Sequence, residues 1–250
     1  MNHIADSARI GEGTSFGAFC VVEDDVEIGS NCMIGHHVVV RAGSRIGDGV
    51  RIGDRAVIGV LPMRAPGSVT TSGERPPPCR VGNRCLVGTG AVIYAGASIG
   101  DLVLIADLAT IREDVTIGER TIVGRGVAIE NKCVIGRRCK LETNAYVTAH
   151  STIEDYVFIA PGVLTSNDNY TGRSEERLKH FRGVTIRRGG RLGVGSVVLP
   201  GREIAEDTLV AAGAIVTRDT EPARIVAGIP ARYFGEVPEA QLLDRQIWFD

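Results

Sequence analysis

Three polar residues near the middle of the chain, Glu142, Asn144 and His150, are of types that assist proton transfer. Histidine titrates near neutral pH and is the most common general base, whereas a carboxylate can orient an amine and help to remove its proton. An amide can hold an amine or a carbonyl group in place. The three side chains could therefore support transfer of a group to an amine or an alcohol, if the fold brings them to a ligand.

The composition argues against several other classes of function. Lys and Arg number 28 against 30 Asp and Glu, which gives a net charge of −2 and predicts no nucleic-acid partner. No apolar run has the length of a membrane span, and the repeat begins at the N-terminus without room for a signal peptide, so we expect a cytoplasmic protein without a membrane partner. The five histidines include no pair five residues apart, so no metal is expected.

The elements that must position these residues are set by a repeat of six. An aliphatic anchor recurs every six positions over residues 4–58, 81–159 and 186–216, with Phe16 as the one exception. Gly usually follows the anchor, and the fifth position is small or β-branched. A period of six does not fit a helix, but it fits short strands that turn the anchor and the fifth residue inward. Stacked coils of such strands would bury a continuous aliphatic column.

Cysteines and polar corners fit the same repeat. The cysteines at the fifth position, where other hexads place Ala, Ser, Thr or Val, are Cys20, Cys32, Cys85, Cys133 and Cys139. We expect them to be buried free thiols, because a small and mildly apolar side chain is required there. Corners such as Gly-Asp-Gly and Gly-Asn-Arg predict turns, because Gly, Asn and Asp tolerate a positive φ.

Two loops and a tail depart from the repeat. The Pro-rich loop 1 covers residues 60–80, and the polar loop 2 covers residues 165–183. Insertions in solenoid proteins tend to gather on the binding face, although a plain surface excursion is the alternative. Pro238 is expected to open a short helix over about 238–248 that covers the end of the prism or packs on a neighbouring subunit. We predict a single domain over residues 1–250.

The repeat, the Asn-Asp-Asn-Tyr-Thr-Gly-Arg run at 167–173 and the closing Gly-Ile-Pro-Ala-Arg at 228–232 resemble the hexapeptide-repeat acyltransferases. The chain is most similar to the enzymes that acetylate nucleotide-linked 3-amino-3,6-dideoxyhexoses with acetyl-CoA. This resemblance implies an all-β, left-handed parallel β-helix with three hexads per coil, a hand that breaks the usual rule for parallel strands. It also implies a homotrimer, and we expect sites between its subunits.

Three hexads per coil would stack residues that are 18 apart. Glu142 and Asn144 then lie between small residues of the neighbouring coils, namely Gly124, Gly126, Ala160 and Gly162. Such a patch would let ligand atoms approach the backbone closely. Loop 2 is expected to leave the prism directly above the patch and to act as a lid. The alternative is that Glu142 and Asn144 are ordinary solvated residues.

His150 stacks by the same rule with Lys132 and Asp114, in a corner that we expect to be charged and wet. The resemblance implies that related sugar N-acetyltransferases do not depend on one histidine base. We therefore predict Glu142, Asn144 and His150 as catalytic residues, with the carboxylate more important than the imidazole.

Binding residues are predicted from small positions and from positive charge. Candidates for acetyl-CoA are Ala160, Gly162, Arg187, Arg188, Gly193, Gly195, Ala211, Gly213 and Arg232. Candidates for the acceptor are Arg112, Arg125, Glu130, Asn131, Asn167, Asp168, Tyr170 and Arg173. Guanidinium groups suit the phosphates of CoA or of a nucleotide diphosphate, although solvated charge is the alternative for any one of them.

The sequence thus predicts transfer of an acetyl group from acetyl-CoA to the amine of a nucleotide-linked amino sugar. One alternative is an O-acyl or long-chain acyl transferase that acts on a sugar or lipid precursor. Another is a non-catalytic scaffold, which the fold alone does not exclude.

Overall fold

The computed structural model describes residues 1–68, 71 and 73–246. Its strands, mostly two residues long, are numbered in chain order. They are β1 (His3–Ile4), β2 (Arg9–Ile10), β3 (Ser15–Phe16), β4 (Val21–Val22), β5 (Glu27–Ile28), β6 (Met33–Ile34), β7 (Val39–Val40), β8 (Arg45–Ile46), β9 (Arg51–Ile52), β10 (Val57–Val60), β11 (Arg80–Val81), β12 (Leu86–Val87), β13 (Val92–Tyr94), β14 (Ser98–Ile99), β15 (Leu104–Ile105), β16 (Thr110–Ile111), β17 (Thr116–Ile117), β18 (Ile122–Val123), β19 (Ala128–Ile129), β20 (Val134–Ile135), β21 (Lys140–Leu141), β22 (Tyr146–Val147), β23 (Thr152–Ile153), β24 (Phe158–Ile159), β25 (Leu164–Thr165), β26 (Thr185–Ile186), β27 (Arg191–Leu192), β28 (Val197–Val198), β29 (Glu203–Ile204), β30 (Leu209–Val210), β31 (Ile215–Val216), β32 (Arg224–Ala227) and β33 (Arg232–Glu236).

Every third strand pairs in parallel, which produces three long sheets around a central core. Sheet A runs from β1 through β4 and β7 to β31, sheet B from β2 through β5 and β8 to β29, and sheet C from β3 through β6 and β9 to β32. Outside the loops the register steps by 18 residues, so Ile117 pairs with Ile135 and Ile135 with Ile153. The predicted fold class is confirmed: the chain is an all-β parallel solenoid with three hexads per coil, consistent with a left-handed β-helix.

The anchor and the fifth residue both point into the core, as predicted. The anchors Ile117, Ile135 and Ile153 are at most 1% exposed. All six cysteines are buried and free, and each thiol lies two residues before an anchor. The sixth is Cys79, which the sequence pattern did not assign to the repeat because it lies at the end of loop 1. Burial raises its pKa to about 12.

Most turns place one residue in the left-handed region, three positions after the anchor. This residue is often not glycine; Asn31, His37 and Arg55 have φ values of 57°, 56° and 58°. The Gly directly after the anchor serves a different purpose, because it lets the next coil approach. A Cβ on Gly136 would lie 2.5 Å from the Asp155 carboxylate of that coil.

Three corners connect the sheets: AB from sheet A to sheet B, then BC, and CA. Loop 1 leaves β10 and rejoins at β11, and loop 2 leaves β25 and rejoins near β26. Both loops therefore project from the AB corner. Loop 2 also contains a short helix, α1 (Arg177–His180).

The C-terminal segment closes the far end of the solenoid. Strand β33 pairs antiparallel with β32. In place of one continuous helix, the tail forms two 3-10 turns, Glu239–Gln241 and Leu243–Arg245. The extended backbone of Leu242, with φ −65° and ψ 145°, separates them. Positions 247 and 248, the last two of the predicted helix, lie outside the described residues.

Candidate functional site

Glu142 and Asn144 lie in the CA corner between β21 and β22 and stack on the neighbouring coils as the 18-residue spacing predicts. The Asn144 N–H donates to the Arg125 carbonyl at 2.9 Å, and the Gly162 N–H donates to the Thr143 carbonyl at 3.1 Å. Glu142 is half-buried and Asn144 is exposed. A ligand on this corner can therefore reach both side chains.

Above this pair, the CA corner presents open backbone on successive coils. A Cβ added at Gly162, Gly195 or Gly213 would meet no atom within 4 Å. These glycines have φ values between 63° and 68°, so the backbone conformation rather than crowding favours glycine at each. Together they leave a shelf of bare backbone, the CA shelf, that an extended ligand could follow. The other predicted small residues of this corner are Ala160, Gly193 and Ala211.

His150 lies in the AB corner, at the opposite edge of sheet A from Glu142. Its ring packs edge-on against Phe181, with the centroids 5.9 Å apart. Partial burial and the charge of Lys132, one coil away, lower the pKa of His150 below its usual 6.5. A lowered pKa favours the neutral imidazole near pH 7, which is the form that accepts a proton.

Loop 2 lies over His150 and not over Glu142, so its predicted position above the Glu142 patch is wrong. A Cβ on Gly183, where loop 2 rejoins the coil, would lie 2.4 Å from backbone atoms of His150. The Asn167 side chain, near the start of loop 2, donates to the Ala149 carbonyl at 3.5 Å. The physical reason is that loop 2 follows a strand of sheet A, so it belongs to the AB corner, one strand beyond the CA corner.

Asp168 organises loop 2 from within. Its carboxylate accepts the backbone N–H groups of Tyr170 at 2.8 Å and Gly172 at 2.9 Å, and the Arg177 guanidinium at 3.1 Å. These bonds, led by that of Gly172, lower the pKa of Asp168. Tyr170 stacks on His180, and Arg173 is exposed. Asp168 thus shapes the loop, whereas the polar atoms of Arg173 remain accessible to a ligand.

A charged cluster lies in the AB corner one to two coils before His150. The Arg112 guanidinium binds both carboxylate oxygens of Glu113, at 2.8 and 3.0 Å, and one oxygen of Glu130 at 3.5 Å. It also donates to the Thr71 hydroxyl of loop 1 at 3.2 Å and lies 4.9 Å from the centre of the Tyr94 ring. We call these five residues the Arg112 cluster. Two carboxylates share one guanidinium in it.

Burial differs between the two carboxylates of the cluster. The Glu113 side chain is 5% exposed and the Glu130 side chain 26% exposed, so only Glu130 offers substantial surface. Burial raises the pKa of Glu130, and Arg112 offsets this only in part, while Glu113 adds to it. Asn131, the next predicted acceptor residue, is 1% exposed.

Sequence reasoning missed Glu113, Thr71 and Tyr94. The signal for Tyr94 was present, because Tyr94, Arg112 and Glu130 follow one another at 18-residue spacing and therefore stack in one column. Glu113 carried no such signal, because a charged residue at that position usually faces solvent. Thr71 lies in a loop, where the repeat gives no register.

Other predicted binding residues are spread over different corners. Arg187 and Arg188 lie in the BC corner, separated from the CA shelf by sheet C. Both are already paired with carboxylates, Arg187 with Glu154 and Glu203 at 2.8 Å. The structure does not bring these two arginines to the CA shelf.

Two more predicted arginines lie elsewhere. Arg125 is in the CA corner beside Gly126. Arg232 lines a separate cavity of about 500 Å³ at the C-terminal end, together with Arg218 and Arg224. Within the described part of the chain, no group of three His, Cys, Asp or Glu side chains is placed to hold a metal ion, and no helix could span a membrane.

Known proteins share this repeat. The family described as bacterial transferase hexapeptide (six repeats) matches residues 7–42, and the hexapeptide repeat of succinyl-transferase matches residues 78–106 and 109–136. The galactoside O-acetyltransferase of Escherichia coli is 35% identical over 89 residues, which is 34% of this chain and 44% of that protein. The chain spans less than half the length of the curated relatives it matches.

A solved structure supports the fold. The Arabidopsis UDP-N-acetylglucosamine acyltransferase superposes with a TM-score of 0.60 at 18% identity, covering 94% of this chain and 73% of that one. A galactoside acetyltransferase in complex with coenzyme A is 28% identical, with a TM-score of 0.45 over 54% of this chain and 69% of that one. The chain therefore shares the hexapeptide repeat with these two families and the solenoid fold with the Arabidopsis enzyme.

Proposed function

We propose that this protein transfers an acetyl group from acetyl-CoA to the amine of a nucleotide-linked amino sugar. The Arg112 cluster is the observation that carries the choice of an amine. Two carboxylates against one guanidinium leave a net negative charge in a half-buried position. A protonated amine would compensate that charge, whereas a hydroxyl group would not.

Glu130 is the group through which this charge would act. It is the more exposed of the two carboxylates in the cluster, and its distance to Arg112 is 3.5 Å. Because burial raises its pKa, a cation beside it would stabilise the ionised form. Glu130 would therefore bind the ammonium group of the acceptor before the reaction.

His150 would then take the proton that the amine must lose. The neutral amine attacks the thioester carbon, a C–N bond forms, and the carbonyl oxygen becomes an oxyanion. The C–S bond then breaks, and CoA leaves as a thiolate that is reprotonated. The lowered pKa keeps the His150 imidazole neutral and therefore free to accept this proton, and it also makes the imidazole a weaker base.

The CA shelf is the proposed site of the pantetheine arm, with Glu142 and Asn144 at its lower end. The N–H groups of Gly162, Gly195 and Gly213 already bind backbone carbonyls, so the oxyanion would need other donors. Acetyl-CoA as donor is supported by the two curated relatives, which are both described as acetyltransferases. We also propose a cytoplasmic location, where the six free thiols would stay reduced.

In one chain, His150 and Glu142 lie at opposite edges of sheet A, and a homotrimer would reunite them. The outward side chains of sheet A are mostly apolar: Val21, Val39, Val57, Val92, Ala128, Leu164, Val197 and Ile215. Those of sheet B are mostly polar or charged. If three copies pack sheet A around a threefold axis, the AB corner of each copy meets the CA corner of the next. The proposed site is then built from two subunits.

The test is an acetylation assay with acetyl-CoA and matched pairs of nucleotide sugars, one with an amine and one with a hydroxyl at the same carbon. Thymidine-, uridine- and guanosine-diphosphate forms of 3-amino-3,6-dideoxyhexoses, with their 3-hydroxy counterparts, make a suitable panel. We expect thiol release with at least one amine and at least tenfold less with its hydroxy partner. Faster turnover of the hydroxy partner would overturn the proposal.

An O-acetyltransferase is the second candidate, favoured by the relative that acetylates galactosides and by a neutral His150 that could activate an alcohol. It predicts the opposite preference in the same assay. It also predicts that Glu130→Gln leaves turnover of the preferred acceptor unchanged, because a neutral alcohol gains nothing from the extra negative charge.

A further inference from the structure

A groove crosses sheet C and the start of the CA corner over the first five coils, far from His150. It has a volume of about 570 Å³. Its floor includes Met33, Leu86 and Leu104, of which Met33 is 54% and Leu86 43% exposed. Asp54 and Asp107 lie on its rim, and Arg51 lies on its floor. Each of the two carboxylates accepts one backbone N–H, from His36 and Thr89 respectively, and keeps a second oxygen for a ligand. A concave apolar surface with an acidic rim would suit an apolar segment that also carries basic residues.

Loop 1 carries exposed apolar and basic side chains that complement this groove. Leu61 is 46% exposed and Met63 93% exposed, although both lie in a Pro-rich segment of otherwise polar sequence. Arg64 and Arg75, on either side of the loop, supply positive charge, and both are exposed. The loop thus presents apolar and basic groups that complement the groove.

The base of loop 1 is fixed, so the position of its projecting part is constrained. The Ala95 N–H donates to the Val60 carbonyl at 2.9 Å, and the Gly96 N–H donates to the Pro77 carbonyl at 2.6 Å. Met63 is three residues beyond Val60, a reach of roughly 10 Å. Leu61 and Met63 also line a cavity of about 720 Å³ with Glu23 and Arg41 of their own chain. Loop 1 therefore projects from the AB corner over the coils that begin with β4, β7 and β10.

The same height holds the groove. Strand β12, which carries Leu86, closes the coil that β10 opens. Within one chain, however, sheet C is the face opposite the AB corner, so loop 1 is directed away from its own groove. In the proposed trimer, the AB corner of one copy meets the CA corner of the next at equal height.

We infer that the Leu61–Met63 segment of loop 1 docks in the sheet C groove of the neighbouring copy. This inference rests on the proposed trimer and adds a contact that sheet A does not make. It assigns the acidic rim and the exposed leucine and methionine side chains to one interface. Since Arg112 holds Thr71 of the same loop, the contact would also connect the interface to the acceptor corner.

Cysteine cross-linking between two different single variants tests the contact. Chains with Met63→Cys and chains with Leu86→Cys are co-expressed with different tags, and a short bismaleimide is added to the purified mixed oligomer. Native thiols should not interfere, because all six are buried. We expect a covalent dimer that carries both tags, and no dimer from either variant alone.

Val134→Cys, in place of Leu86→Cys, is the matched control. Val134 is 51% exposed, similar to Leu86, but lies on sheet B. A trimer in sedimentation equilibrium that shows no Met63–Leu86 dimer, or as much dimer with the control, would overturn the inference while the trimer stands. A monomeric wild-type protein at micromolar concentration would overturn both.

Discussion

At the scale of single residues, burial moves the pKa values of Glu130 and His150 in opposite directions. The carboxylic acid is raised and the imidazole is lowered, so both shifts favour the uncharged form. Perturbed groups of this kind gather where a ligand supplies the missing charge or proton. Under the proposed transfer to an amine, an ammonium beside Glu130 and a proton delivered to His150 would supply these.

The charge of Glu130 should reduce stability when no ligand is bound. Its pKa in the folded protein is raised above the ordinary 4.5, so the folded state is favoured when the group is protonated, and that contribution is lost as the pH rises through the raised pKa. Glu130→Gln should therefore raise the Tm well above this pH, and the gain should vanish near the ordinary pKa. Thermal melts across the acidic to neutral range measure this, with Glu119→Gln, an exposed carboxylate, as control. An equal gain at every pH would contradict the assignment.

Glu142, Asn144 and His150 give a second prediction at this scale. Glu142→Gln keeps the shape of the side chain and removes its charge, and we expect kcat to fall about 10²-fold, in the range of general acid–base groups. Asn144→Ala should have a similar effect if the amide holds the amine or the carbonyl. His150→Ala should lower kcat by a similar factor, because His150 is the proposed acceptor of the amine proton.

Steady-state kinetics of the three variants decide between these roles. All should melt like the wild type, because none of the three side chains is in the core. Loss of turnover in His150→Ala beside nearly normal Glu142→Gln would assign the chemistry to a histidine base alone.

At the scale of elements, the hexad pattern predicted almost every strand, because the anchor must be buried on each coil. Placement of the loops was harder. The hexad pattern gave the coil from which loop 2 leaves. It did not give the corner, because the corner depends on which strand the loop follows. An error of one strand moves the loop across sheet A, from the AB corner to the CA corner. The sequence pattern likewise placed a continuous helix after Pro238, where the extended Leu242 interrupts it.

The anchors should carry the stability of the coils. Ile117 is 1% exposed, so Ile117→Ala should cost about 2–5 kcal/mol through lost burial and a cavity. Cys133→Ala should have a small effect, since the free thiol fills a position where other coils place alanine. Urea titration measures both, and dithiothreitol should not change either result. A large loss of stability under reductant would show that the thiols are paired.

At the scale of the whole molecule, the candidate site is divided between two corners. The 18-residue spacing correctly predicted which residues of the neighbouring coils lie next to Glu142 and next to His150. It could not show that sheet A separates them, because stacking along the solenoid gives no position around it. The outward face of sheet A is mostly apolar along its length, and this face offers a physical route by which two chains could complete one site.

Mixed oligomers make the division testable. One variant, Glu142→Gln, damages the CA corner, and a second, Glu130→Gln with His150→Ala, damages the AB corner. If each site takes its AB corner from one copy and its CA corner from the next, random mixing of inactive chains leaves about a quarter of the sites with two intact corners. Co-expressed and purified mixed trimers should therefore recover roughly a quarter of wild-type turnover, whereas the two proteins purified separately and mixed without subunit exchange should recover none. A site contained within one chain would stay inactive in every mixture, because no single chain then has both corners intact.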